Sequence, residues 1–192
     1  MFLYPILGKI LNHKSQTDVI YKYSQEIKDM DQESLDKKKE KYQKYNNEIL
    51  KEKSNKIDFL KTGEVIGYLK IEKIKLQLPI YEGVNNQILY KGVGHVQNTT
   101  LPTKKGDYHS VLVGHSGLST NEIFDNLDKL KIGDEFIITI LNETFKYKIY
   151  DIKTVLPNET KDLTIKKGKQ LVTLVTCTPK YVNSHRLLIF GE

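Results

Sequence analysis

The 192-residue sequence has one cysteine, one arginine and no tryptophan. A single cysteine cannot close a disulfide within the chain. Cysteine count therefore says nothing about redox compartment, and Cys177 is either an inert buried hydrophobe or a reactive thiol. Long apolar runs are also missing. The most apolar stretch, MFLYPILGKIL, covers about eleven residues and is interrupted by Pro5 and Gly8. That is short of the ~20 residues a membrane-spanning helix needs, and it lacks the small-residue cleavage site of a signal peptide. No close group of His, Cys and carboxylates has metal-ligand spacing, so neither a metal nor another cofactor is expected, and activity should survive a chelator. The net charge of +6 is not accompanied by a zinc-finger, RNA-recognition or basic-heptad pattern. Its lysines are interspersed with Glu and Asp, the pattern of a solvated face, and no nucleic-acid partner is expected.

What is present is the composition of a soluble globular chain, 39% hydrophobic and 28% charged, enough for one packed domain with an appendage. Two regimes meet near residue 60. From about Thr17 to Lys53, apolar residues recur at three- and four-residue steps (Val19, Ile20, Tyr23, Ile27, Met30, then Leu35, Tyr42, Tyr45, Ile49). With Asp31 opening a second acidic helix start, this predicts a helical hairpin. Residues 1–60 thus form an apolar segment and hairpin, and 61–192 a β domain. There VIGYLKIEKIKLQLPIYEG alternates as two strands, and SVLVGH, EFIITI, TFKYKIYDIKTVL, QLVTLVT and RLLIF supply at least five more. About seven strands with little helix between them predict a closed barrel.

TLVTC is a run of strand formers that ends in the thiol of Cys177, and Pro179 forces the strand to stop just beyond it. A rim position suits a nucleophile, although a buried rim cysteine is equally consistent with the pattern. A nucleophilic cysteine needs a base or an electropositive neighbour. The candidates are His13, His95, His109, His115 and His185. His115 ranks first, because it closes the strand SVLVGH and is followed by Ser116-Gly117. Arg186 opens the last strand after a connection of about eight residues from Thr178 to His185, short enough to bring it back beside Cys177. Its guanidinium offers a fixed fork of donors suited to an oxyanion, which a lysine holds less well. The competing reading is a surface salt bridge.

TLVTCTP, SVLVGHSG and NSHRLLIFG, in that spatial role and with IGYLKIEKIKLQLPIYEG and KGVGHVQNTTLP before them, resemble the signatures of the sortases, cysteine transpeptidases of Gram-positive bacteria. The resemblance runs from about Val65 to Gly191. It implies an eight-stranded β-barrel in which His115, Cys177 and Arg186 are catalytic and Thr176 is an additional substrate-binding donor. It implies that Cys177 attacks the Thr–Gly bond of an LPXTG-like sorting signal to form a thioester. His115 would then protonate the departing amine and activate the incoming one, while Arg186 steadies the substrate carbonyl or oxyanion.

The hairpin and the two C-terminal motifs are most similar to the class C, pilus-assembling sortases. That implies a pilin lysine as acceptor and a location on the outer face of the cell membrane, anchored by segments not present in this chain. Class C enzymes often carry an Asp-Pro-aromatic lid, whereas here the nearest match is Asp58-Phe59 without proline, which implies an absent or reduced lid. The alternatives are a sortase of another class that uses a peptidoglycan stem amine, and a non-catalytic barrel whose hairpin binds a partner.

Overall fold

The alternation read from residue 65 onwards closes into a barrel in the computed structural model, which describes residues 3–51, 60–103 and 106–192. The chain begins with helices α1 (Leu3–Asp29) and α2 (Gln32–Leu50). Strands β1 (Val65–Ile71) and β2 (Leu76–Glu82), a short helix α3 (Asn86–Lys91) and β3 (Val93–His95) follow. The remaining strands are β4 (Tyr108–Val113), β5 (Glu135–Ile140), β6 (Glu143–Val155), β7 (Gln170–Thr178) and β8 (His185–Gly191). Around the barrel the order is β1-β2-β3-β4-β7-β8-β6-β5. The pairs β2–β3 and β4–β7 are parallel and the others antiparallel. This is the closed eight-stranded barrel with an N-terminal hairpin that the resemblance implied, one strand more than the pattern alone predicts.

Two features differ from the sequence reading. The apolar start is not separate from the hairpin, because α1 runs unbroken from Leu3. Pro5 lies in its first turn, where a missing N–H costs no helical hydrogen bond. Gly8 sits where a Cβ would come within 2.9 Å of the Thr120 side chain, so a close helix-to-loop contact accounts for it. The strand missed in the sequence is β3, only three residues long with a glycine at its centre. Gly94 is required there, since a Cβ would lie 2.4 Å from the Gly83 carbonyl. The nearest lid match, Asp58-Phe59, lies outside the described residues.

Asp31 caps α2 as expected, with Oδ1 accepting from the Ser34 N–H at 2.8 Å. The stripe along the hairpin then packs onto the barrel. Tyr23, Ile27, Leu35, Tyr42 and Tyr45 belong to one continuous core with barrel residues such as Leu69, Ile80 and Phe136. Two buried polar clamps fix the seat. The Tyr23 hydroxyl donates to Ile66 O at 2.9 Å and accepts from Leu141 N at 2.7 Å. Asn46 donates to Leu101 O at 2.8 Å and accepts from Leu101 N at 2.7 Å. Asn46→Ala leaves both Leu101 groups buried without these partners, at a cost of about 2–3 kcal/mol. In a domain of this size calorimetry should show Tm falling by roughly 5–10 °C.

A second, smaller apolar cluster lies on the outer face of β4, β7 and β8: Val111, Val175, Leu188 and Phe190, with Val113 and Leu163 against them. Val172, Leu174 and Ile189, the alternate residues of the same strands, face the main core. The connection from β6 to β7, residues 156–169, roofs this outer face through Leu163.

Candidate active site

The outer-face cluster continues to the ends of three neighbouring strands. In the parallel pair β4–β7, Val113 is in register with Val175, and Gly114 N donates to Val175 O at 3.1 Å. Two residues further along each strand direction come His115 and Cys177. In the antiparallel pair β7–β8, Cys177 is directly opposite Arg186, so their side chains emerge on the same face. Cys177 therefore stands in the middle, with His115 from one neighbouring strand end and Arg186 from the other. All three line one groove of about 320 Å³, whose apolar walls include Val113, Val175, Leu188, Leu156 and Pro157.

The sequence holds this trio in place by local means. Gly114 leaves room for Phe124, whose ring carbon would be 2.6 Å from a Cβ there. Phe124 N then donates to His115 O at 2.8 Å, which fixes the loop behind the histidine. Two cross-strand hydroxyl bonds tie the β4 end to the β7 end: Thr176 Oγ1 donates to Gly114 O and Ser116 Oγ to Cys177 O, both at 2.8 Å. Thr176 lines the groove as well, but its one hydroxyl proton goes to Gly114. In the absence of substrate it ties the backbone between His115 and Cys177.

Cys177 and His115 are both half-buried, open enough to meet a substrate. Arg186 donates through Nη1 to Asn183 O at 3.1 Å and His185 O at 3.0 Å. These bonds anchor the guanidinium on its own loop, and among the described residues the Nε and Nη2 protons have no protein acceptor, which leaves them for a ligand. Among the described residues it has no carboxylate partner, which disfavours a surface salt bridge as its purpose. The β7–β8 connection is six residues, 179–184, shorter than expected because both strands reach further into it.

The other histidines stand elsewhere. His95 is fully buried, with Nδ1 2.7 Å from Glu82 and Nε2 near Thr99 and Thr100. His13 is exposed on α1, and His185 bonds Ser184 and pairs with Thr178, on the face opposite to Cys177. His109 is buried beneath the roof. Its Nδ1–H donates to Thr164 O at 2.9 Å, and Nε2 accepts from the Thr173 hydroxyl at 2.7 Å. Burial, the main cause, holds its imidazole below the ordinary histidine range near 6.5, and the roof's Lys166 pushes the same way. The folded state thus favours neutral His109. This contribution is present above about pH 6.5 and is lost as pH falls and the unfolded chain takes up the proton. Thermal melts between pH 7.5 and 5.5 should show a loss of stability that His109→Gln reduces, since Gln can donate to Thr164 and accept from Thr173 without titrating.

Among the described residues no three His, Cys, Asp or Glu side chains come together as a metal-ligand set. No helix of the described residues is long and apolar enough to cross a membrane.

A cysteine flanked by a histidine and an arginine, at the rim of a closed barrel and at the foot of an apolar groove, defines a thiol-dependent acyl-transfer enzyme. The Sortase domain family model matches residues 69–192, and the chain belongs to the sortase family, the cysteine transpeptidases. A solved sortase C from Clostridium perfringens, described with its C-terminal cell wall sorting motif, superposes with a TM-score of 0.86 at 38% identity, covering 92% of this chain and 97% of that one. Sortase C1 of Streptococcus agalactiae superposes at 0.82 with 38% identity, covering 91% and 97%. Sortase D of Bacillus subtilis (strain 168) is 34% identical over 72% of this chain and 69% of its own length. Membership in this family removes the non-catalytic, partner-binding barrel from the alternatives.

Proposed function

We propose that this enzyme cleaves an LPXTG-like sorting signal through a thioester on Cys177 and transfers it to a lysine amine of a pilin, as in class C pilus assembly. The observation that carries the reading is the alignment of His115, Cys177 and Arg186 on three adjacent strand ends beside one apolar groove. Support for the substrate comes from the similar C. perfringens sortase C, whose structure includes a C-terminal cell wall sorting motif.

The chemistry follows from the arrangement. An extended peptide lies in the groove with its apolar residues against Val175, Leu188 and the roof. Cys177 Sγ attacks the threonine carbonyl while Arg186 donates to the oxygen that gains charge. His115 gives its proton to the departing glycine amine, leaving the thioester. An incoming amine attacks the same carbon, His115 takes the proton released on bond formation, and the thiolate leaves.

The similarity to a protein named sortase D favours a second reading, a sortase of another class, for which the alternative acceptor is a peptidoglycan stem amine. Competition between a pilin-derived lysine peptide and a stem-peptide amine separates the two. The class C reading predicts ligation to the pilin lysine in excess, and preference for the stem amine overturns it. We also propose a location on the outer face of the cell membrane. Ile6, Leu7, Ile10 and Leu11 leave an exposed apolar ridge on the first turns of α1, suited to a lipid surface. Recovery of the native protein in the membrane fraction is expected, and recovery only from the cytoplasm refutes it.

A further inference from the structure

The groove beside Cys177 has a floor and a roof of different origin. Its floor is the outer face of β4, β7 and β8, fixed by strand pairing. Its roof is the β6–β7 connection, of which Leu156, Pro157, Glu159, Thr160 and Leu163 line the groove. That connection is folded by its own short turns, Glu159 N donating to Leu156 O and Leu163 N to Thr160 O, both at 3.0 Å. Such turns set its shape but not its height above the floor.

Among the described residues, only two hydrogen bonds from outside the connection reach residues 156–168. One joins Lys153 to Asp162 at 2.8 Å, through a lysine side chain that is 40% exposed, so it is a weak tie. The other comes from His109, which is buried. Thr164 O can only accept, so the imidazole proton sits on Nδ1, and Nε2 is left to accept from the Thr173 hydroxyl. The Phe190 ring of β8, its centroid 6.5 Å from that of the imidazole, holds the histidine from the side. The chain of bonds Thr173–His109–Thr164 thus references the roof to β7 and β4, the strands that lead to Cys177 and His115. Leu163, the neighbour of Thr164, both enters the outer-face apolar cluster and lines the groove. A shift at Thr164 therefore passes directly to the groove wall.

Resting on the transpeptidase reading above, we infer that His109 is a positioning residue for the substrate: by holding Thr164 O it sets the height of the roof, and with it the fit of the sorting signal's apolar residues. His109 lies six residues before His115 along the strand direction, roughly 20 Å in extended chain, and does not touch the reacting atoms. Its loss should weaken capture of the peptide and leave the chemistry at Cys177 as it is.

The experiment is single-turnover acylation by an LPXTG-type peptide, read by intact mass at a series of peptide concentrations. His109→Leu keeps apolar volume beneath the roof and removes both hydrogen bonds. One buried hydrogen bond is worth a factor of about two to ten, so the half-saturating peptide concentration should rise roughly three- to tenfold. The limiting acylation rate, and the rate at which iodoacetamide alkylates Cys177, should stay within about twofold. When the peptide's leucine is replaced by alanine, the roof has less to hold and the penalty should shrink. His109→Gln, which can donate to Thr164 and accept from Thr173, should restore the half-saturating concentration. Thr173→Val removes the donor to Nε2 and should move the same quantity in the same direction, and it carries the test if His109→Leu does not fold. A loss confined to the limiting rate and to alkylation, an equal penalty on both peptides, or no change in the folded variants overturns this inference while leaving the proposed function standing. Failure of the unsubstituted protein to form any thioester overturns the proposed function and this inference with it.

Discussion

Cys177→Ala should abolish both hydrolysis and transfer of a sorting peptide, by roughly 10⁴-fold or more, without unfolding the protein. The size of the loss follows from the role: with the nucleophile gone, no thioester forms, and what remains is binding and the donors around the carbonyl. The small effect on stability follows from the setting. Cys177 is half-buried at a strand end, and the bonds that hold that end together use its backbone, the Ser116 hydroxyl on Cys177 O and the register with Arg186. Removing Sγ empties little packed volume, so Tm should move by no more than a few degrees. Residual turnover near the unsubstituted rate in a folded variant would show that another group attacks.

Arg186→Lys should lower kcat by about 10²–10³-fold although it keeps the charge, the range found when one donor to a developing oxyanion is removed. Arg186 is held by two bonds from Nη1 to its own loop, to Asn183 O and His185 O, while among the described residues Nε and Nη2 have no acceptor and can donate to a substrate. A lysine has one nitrogen. It can satisfy the loop carbonyls or reach the substrate, but it cannot reproduce both geometries. Because the interaction strengthens as charge develops on the oxygen, the loss should fall on kcat more than on KM. Near-normal kinetics in Arg186→Lys would reduce Arg186 to a source of positive charge, which any of the chain's lysines supplies.

The central trio was legible because each member is marked locally. Cys177 and Arg186 are the only residues of their kinds, a proline ends the strand of the first, and a short connection returns the second beside it. The barrel was legible because β1, β2, β5 and β6 alternate over six residues or more. The strand β3 was not, since three residues with a glycine among them carry no periodic signal, and a parallel partner supplies its pairing.

The start of α1 was misread because Pro5 and Gly8 look like breaks when the helix they begin, and the Thr120 loop Gly8 packs against, are unseen. The bond from the Thr176 hydroxyl to Gly114 O was not legible, because Gly114 lies 62 positions away and becomes a neighbour only through the parallel β4–β7 pairing. The groove at Cys177 and the roof over it depend on the same long-range pairings, which no local pattern encodes.

The hairpin is part of this logic as well. Its core is continuous with that of the barrel, and the first turns of α1 reach the loop that begins at His115. Lys9 pairs with Glu122 at 2.6 Å, Asn12 donates to Thr120 O at 2.9 Å, and Gln16 donates to Asn121 at 3.1 Å. The stretch that composition alone set apart as an appendage thus braces the back of the catalytic loop.

The most direct test of the account is intact-mass spectrometry of the protein mixed with an LPXTG-type peptide, before and after a lysine peptide is added. The expected result is an acyl adduct on the unsubstituted protein, absent from Cys177→Ala, that disappears as ligated product accumulates. A folded protein with an alkylatable Cys177 that forms no adduct and cleaves no peptide would contradict it.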